Sequence, residues 1–315
     1  MAKVKVGLIG LGIFFHKMHL PMLSKLRHRF EVTSVYTSST EKFLRLQKIF
    51  PKIQRAQSIN QLFSGKESNA IVACVPIPQN VAMAEKAIRF NKYLLLEKPL
   101  AHNLKRANEI VQRGQKRIMV AESFCYFEAF RKLKRIIRDE SFGKLEFVHV
   151  HAIKKFDQKN PYYQTTWRRV HKGYSGILWD AGIHVTSLLR FLFGQFSVAH
   201  RVLKSHNPKI GQHDTLIAHL NFPQNVPGSL VMSYSLFGKE DYFLTVYFSQ
   251  GRIKCHMNSL VIESKNSSKE YSFKEEVYEK IYDDYYYWVA HHRSPSYGLN
   301  DAYQDLVALN ALISK

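Results

Sequence analysis

Four groups of residues have the types and spacings that chemistry requires. Gly10-Leu-Gly12 closes the apolar run at 4–9 and precedes a helical stretch from about residue 14, which includes Phe14 and follows Ile13. Glycines at a strand–helix junction permit a tight turn and let backbone N–H groups approach a pyrophosphate at the helix N-terminus. A plain strand–helix turn is the alternative, because Phe15 stands where G-x-G-x-x-G wants a third small residue. The second group is Thr37-Ser38-Ser39-Thr40, followed by Glu41-Lys42, after the second apolar strand. No acid stands ready for a ribose 2′-hydroxyl there, and the hydroxyls with Lys42 suit a 2′-phosphate. The alternative is a helix cap, and no arginine occupies the usual place.

The third group is Glu97-Lys98-Pro99, directly after Leu94-Leu-Leu. It puts a lysine at the carboxyl end of a strand, the edge where doubly wound sheets bind ligands. A lysine desolvated there can exchange a substrate hydroxyl proton; a surface lysine at a strand end is the alternative. The fourth is Asp180 and His184, four apart in Gly176-Ile-Leu-Trp-Asp180-Ala-Gly182-Ile-His184. On a helix they share a face and can form an acid–base pair, or a structural contact. No third ligand accompanies them, so no metal site is expected.

These groups need elements to hold them. Apolar runs at 4–9, 30–36, 70–75, 93–96 and 117–121 alternate with helical patterns near 79–90 and 104–113. That alternation implies βαβ units and a parallel sheet. After residue 122 a helix at 127–138, a strand at 144–153 and a helix at 176–193 lead into strand-like runs across 196–273, then helices at 275–291 and 300–313. Turn signals between those runs suggest a mostly antiparallel sheet. The expected fold is α/β: an N-terminal Rossmann domain with a parallel sheet over 1–122, then an α/β domain with an open, mostly antiparallel sheet over 123–315 that binds substrate and mediates assembly.

Together the G-x-G turn, the E-K-P after a later strand and the G-x-x-x-D-x-G-x-H helix resemble the Gfo/Idh/MocA oxidoreductases. His19-Leu-Pro21, Met119-Val-Ala-Glu122-Ser-Phe-Cys-Tyr126, Trp167-Arg168 and the 294–302 segment follow in the same order. The resemblance implies hydride transfer between a nicotinamide cofactor and a hydroxyl or keto carbon of a sugar, polyol or nucleotide sugar. It implies that Lys98 contacts the reacting hydroxyl, and that Asp180 and His184 serve as acid–base and substrate-orienting residues. Glu97 and Pro99 would line the nicotinamide side. Pro76 and Asn80 sit in the family's P-x-x-x-H segment, with Asn80 in place of the histidine. Tyr126, Trp167 and Arg168 join the expected substrate contacts. NADP(H) is the expected cofactor, with NAD(H) second, and a homodimer or homotetramer through the C-terminal sheet is the expected assembly. The alternative is a catalytically silent relative that senses a sugar or NAD(P).

Composition narrows the rest. Of 315 residues 45% are hydrophobic, which excludes a wholly disordered chain. No run of 18 apolar residues signals a membrane span. Three scattered cysteines, Cys74, Cys125 and Cys255, form neither a disulfide framework nor a metal set and point to the cytoplasm. The 46 Lys and Arg against 25 Asp and Glu give +21, spread along the chain without a nucleic-acid-binding motif. Some of those cations favour a phosphorylated cofactor or substrate. The 157–172 stretch, with Tyr162, Tyr163, Trp167, Arg168 and Arg169, is read as pocket lining, or else as surface or subunit contact.

Overall fold

Apolar runs too short for helices and bounded by glycine, proline or polar turns become strands. The computed structural model describes residues 3–114, 116–165, 167, 176–236 and 241–314. The chain forms two compact units, Met1–Glu122 with Val277–Tyr303, and Ser123–Glu276 with Gln304–Lys315. The second boundary differs from a single 123–315 domain, because Val277–Tyr303 clusters with the first unit.

In the first unit, β1 (Val4–Ile9), β2 (Phe30–Tyr36), β3 (Gln54–Ala56), β4 (Ala70–Ala73), β5 (Tyr93–Glu97) and β6 (Ile118–Ala121) form a parallel sheet ordered β3-β2-β1-β4-β5-β6. Every residue of β4 and β6 is buried. That is why these strands read as unbroken apolar runs rather than alternating ones. The order reverses between β1 and β4, which makes the carboxyl ends of those strands the crevice of a doubly wound sheet. The connections carry α1 (Leu20–Lys25), α2 (Thr40–Ile49), α3 (Ile59–Ser64), α4 (Ile77–Arg89) and α5 (Leu104–Gly114). The stretch expected to be helical from residue 14 opens as a π-turn over Phe15–His19 before α1. Ser39 caps α2, its Oγ accepting from Lys42 N at 3.2 Å; such a cap contributes about 1 kcal/mol.

The second unit holds α6 (Glu128–Arg138), β7 (Leu145–Ile153) and α7 (Ile177–Phe193). These precede β8 (Ser197–Lys204), β9 (Thr215–Phe222), β10 (Val226–Ser233), β11 (Asp241–Phe248), β12 (Gly251–Cys255), β13 (Ser259–Ser264) and β14 (Ser267–Ser272). The eight strands are ordered β14-β13-β12-β11-β7-β10-β9-β8. All pairs are antiparallel except β7 with β10. Phe130 and Leu133 of α6 and Val185, Leu188 and Leu189 of α7 share one core with Val148, Val150, Leu230, Leu244 and Val246 of the sheet. On β9 burial alternates, leaving Ile217 45% exposed. That period of two marks a sheet with one face covered.

The chain then enters α8 (Val277–His291), whose Tyr282, Tyr285 and Tyr286 pack on Phe30 of β2 with ring centroids 5.4, 6.2 and 5.8 Å away. It ends in α9 (Leu299–Ile313). Among the described residues no helix is long and apolar enough to cross a membrane.

Candidate active site

The two turn glycines have different reasons to be glycine. Gly10 has φ +88°, and a Cβ there would stand 2.2 Å from the Cys74 carbonyl oxygen, at the carboxyl end of β4. A side chain is excluded by fold alone. At Gly12 a Cβ would meet nothing within 4 Å. The space over that residue is open, which suits a group that must approach the backbone closely. Gly12 N donates to Gly10 O at 2.9 Å, and His16 N to Gly12 O at 3.2 Å. Ile13 is 44% exposed beside the turn. Phe14 is half-buried, its ring edge-on to Tyr278 at 5.7 Å. Phe15 is fully buried and stacked on His19 at 6.2 Å, so its side chain fills core.

The second group lies at the end of β2. Thr37 Oγ1 accepts from Ser39 N at 3.2 Å, Ser38 is exposed, and Ser39 serves as the helix cap already described. Lys42 Nζ donates to Leu11 O at 3.1 Å, tying the start of α2 to the glycine turn. An arginine is present after all: Arg55, from β3. Its Nε and Nη2 donate to Thr37 O at 3.1 and 3.0 Å, Nη2 also to Ser38 O at 3.0 Å, and Nη1 to Thr40 Oγ1 at 3.1 Å. His16 feels the Lys42 charge as well. Burial first, then Lys42 and Arg45, hold its pKa below the ordinary imidazole value. Arg45 also pairs with Glu41 across one exposed helical turn.

Around Glu97-Lys98-Pro99 the polar atoms are inside the protein. Asn80, fully buried on α4, donates from Nδ2 to Glu97 O at 3.0 Å and to Pro99 O at 2.7 Å. Its Oδ1 has no hydrogen-bond partner. Pro76 stands at the N-cap of the same helix. Glu97 Oε1 meets His19 Nε2 at 2.9 Å and accepts from the Tyr278 hydroxyl at 2.9 Å; His19 Nδ1 meets the Tyr282 hydroxyl at 2.9 Å. Burial, then the Glu97 charge, keeps the Tyr278 hydroxyl protonated, and burial does the same for Tyr282. A carboxylate only accepts, so His19 Nε2 carries the proton toward Glu97. In the neutral ring Nδ1 then accepts from Tyr282, and one tautomer satisfies all three bonds. Lys98, half-buried, lies between the two carbonyls that Asn80 holds.

In the second unit Asp180 and His184 lie one turn apart on α7. Asp180 is 8% exposed, and His184 stacks on Phe124 at 4.8 Å with the rings inclined by 14°. Tyr234 joins them: burial, then Tyr242, then the Asp180 charge raise its pKa well above a free tyrosine. Tyr242 donates to its hydroxyl at 3.4 Å. Tyr126 is fully buried with Arg131 over its ring at 5.1 Å, and Tyr163 is buried against Phe156 at 5.6 Å. Both are buried side chains. Trp167 is half-buried; Arg168 and Arg169 lie outside the described residues. Among the described residues no cluster of His, Cys, Asp or Glu could hold a metal.

A dinucleotide fits the first unit on three observations: the open space over Gly12, the cations at the end of β2, and the unmet buried acceptor of Asn80. Residues 4–123 match the family model described as the oxidoreductase family, NAD-binding Rossmann fold, and 130–254 match the GFO/IDH/MocA C-terminal domain. The chain belongs to the Gfo/Idh/MocA oxidoreductase family.

A dehydrogenase of Fusarium mangiferae is 25% identical over 251 residues, 74% of this chain and 71% of that protein. A crystal structure of an oxidoreductase from Thermotoga maritima superposes with TM-score 0.91 at 26% identity, covering 99% of this chain and 96% of that one. The WlbA dehydrogenase from Bordetella pertussis, solved with NADH and UDP-GlcNAcA, shares the fold with TM-score 0.83 at 17% identity, over 98% and 94% of the two chains. Within this Gfo/Idh/MocA member, sequence reasoning missed Arg55, Tyr278 and Tyr234. Arg55 lies on a three-residue strand with one buried position, too short to show a period. Tyr278 and Tyr234 carry no local spacing signal.

Proposed function

We propose that this family member is an NADP(H)-preferring oxidoreductase acting on a hydroxyl or keto carbon of a sugar that carries a phosphate or nucleotide. The observation that carries the reading is the fixed place of Lys98 at the carboxyl end of β5, bracketed by carbonyls that Asn80 holds. Gly10 and Gly12 would receive the pyrophosphate; Lys42 and Arg55, with the Thr37 and Ser38 backbone and hydroxyls, would receive the 2′-phosphate. Once bound, the nicotinamide supplies or accepts hydride. Lys98 would hold the reacting oxygen and exchange its proton, and Asp180 and His184 would serve as acid–base and substrate-orienting residues. Positioning contributes much of the rate gain in such a site. Phosphorylated and nucleotide-linked sugars suit the surplus of 21 positive charges, and the WlbA complex holds a nucleotide sugar on this fold.

The test is formation of NADPH or NADH by the purified protein with UDP-sugars and hexose phosphates. Turnover with NADP+ at a lower KM than with NAD+ is expected. NADPH binding without turnover anywhere in the panel would favour the silent sensing relative. Phe15 and Asn80, the departures that motivate that alternative, both have structural places, one in the core and one on the 97–99 backbone.

Assembly through the open sheet face is part of the same proposal: Val202, Ile217 and Tyr247 are exposed at 38, 45 and 37%. Light scattering should give a dimer or tetramer that I217K weakens. Three cysteines scattered along the chain, Cys74, Cys125 and Cys255, suit a reducing, cytoplasmic setting.

A further inference from the structure

Two separate sets of bonds converge on three residues. From one side Asn80 donates to Glu97 O and Pro99 O, the carbonyls on either side of Lys98. From the other, His19 and Tyr278 hold the Glu97 carboxylate, and Tyr282 fixes the His19 ring. The donors come from distant stretches: Glu97 and His19 are 78 residues apart, Glu97 and Tyr278 181. Asn80, His19 and Tyr282 are fully buried, and Glu97 and Tyr278 are 6% and 7% exposed. A carboxylate is costly to bury, and a partly satisfied network is worse than an apolar core. Here one imidazole links the π-turn after the pyrophosphate glycines to the edge that carries Lys98. Leucine or phenylalanine at these positions would pack the core without that cost. What the polar set adds is direction: it fixes which way the 97–99 backbone faces.

We propose that Asn80, His19, Glu97 and Tyr278 are positioning residues that hold the 97–99 segment, and with it Lys98, as the wall of the nicotinamide half of the cofactor site. The inference rests on the reading above that this edge meets the nicotinamide. Asn80 then replaces the family's histidine by taking over backbone orientation, and the substitution does not signal lost cofactor binding.

The test separates the two halves of the cofactor. Adenosine 2′,5′-bisphosphate lacks the nicotinamide and probes the adenosine half, with its 2′- and 5′-phosphates, and NADPH probes both halves. Dissociation constants are measured by calorimetry for wild type, N80L and Y278F. Y278F deletes a single hydroxyl and preserves the fold even where N80L does not. Wild type should bind NADPH more tightly than the bisphosphate. Each variant should weaken NADPH by about tenfold or more, because the 97–99 segment is no longer pre-organised for the nicotinamide. The bisphosphate should stay within about twofold in the same proteins. Equal weakening of both probes would reduce the network to a structural role and overturn the inference; so would no change in either. Wild type binding the two probes equally would instead overturn the nicotinamide reading of this edge. Wild type binding neither would overturn the cofactor reading itself.

Discussion

Replacing each turn glycine by alanine separates folding from binding. In G10A the new Cβ meets a backbone carbonyl at 2.2 Å in a left-handed conformation, φ +88°. The conformation alone costs about 1–2 kcal/mol. The carbonyl belongs to a strand end and cannot rotate away as a flexible side chain would, so a total of about 2–4 kcal/mol is expected. In G12A the Cβ enters open space, since nothing lies within 4 Å. Folding should change by less than about 1 kcal/mol, with loss of backbone entropy in the unfolded chain favouring the variant. Binding should suffer instead. A pyrophosphate oxygen must come within about 3 Å of a backbone nitrogen to accept from it. One charge-assisted bond lost is about 1.5–3 kcal/mol, or roughly ten- to hundredfold in affinity for NADPH. Urea unfolding followed by tryptophan fluorescence, and NADPH titration of the same samples, measure both quantities. G12A binding NADPH like wild type would refute the pyrophosphate assignment. G12A as unstable as G10A would refute the division of roles.

Other outcomes follow from the same structure. R55M removes the guanidinium that spans Thr37, Ser38 and Thr40; the bisphosphate should bind about tenfold more weakly while ADP, lacking the 2′-phosphate, is unchanged in calorimetry. In the second unit Arg190 pairs with Asp305, whose side chain is 1% exposed; R190M should cost about 3 kcal/mol in urea unfolding, because it removes the arginine from a buried carboxylate. His16 and His149 both have pKa values held below 6.5, His16 by burial and then Lys42 and Arg45, His149 by burial and then His151. The unfolded chain therefore takes up protons first, so stability falls as pH drops below about 6.5. H16Q and H149Q should each flatten the difference between urea midpoints at about pH 5.5 and 7.5, modestly, since both rings keep contact with solvent.

The parts of the fold legible in sequence are those set by local physics. Unbroken apolar runs such as 70–73 mark buried parallel strands, and the glycine, Glu97-Lys98-Pro99 and Asp180–His184 spacings mark strand ends and one helix face. Ser39 reads as a cap because capping is decided within four residues. The His19–Glu97–Tyr278 set is invisible by the same logic, because its members meet only when α8 returns to the first unit. Arg55 was hidden by the shortness of β3, and its partners are backbone carbonyls, which no side-chain pattern records.

The proposed role of Lys98, exchanging the proton of the reacting hydroxyl in a nicotinamide-dependent reaction, is tested most directly by K98M. K98M removes the amine and keeps the stem. With a turned-over sugar and NADP+, kcat should fall by at least about a hundredfold, the scale of general acid–base catalysis, with NADPH affinity retained. Turnover by K98M at the wild-type rate would contradict it.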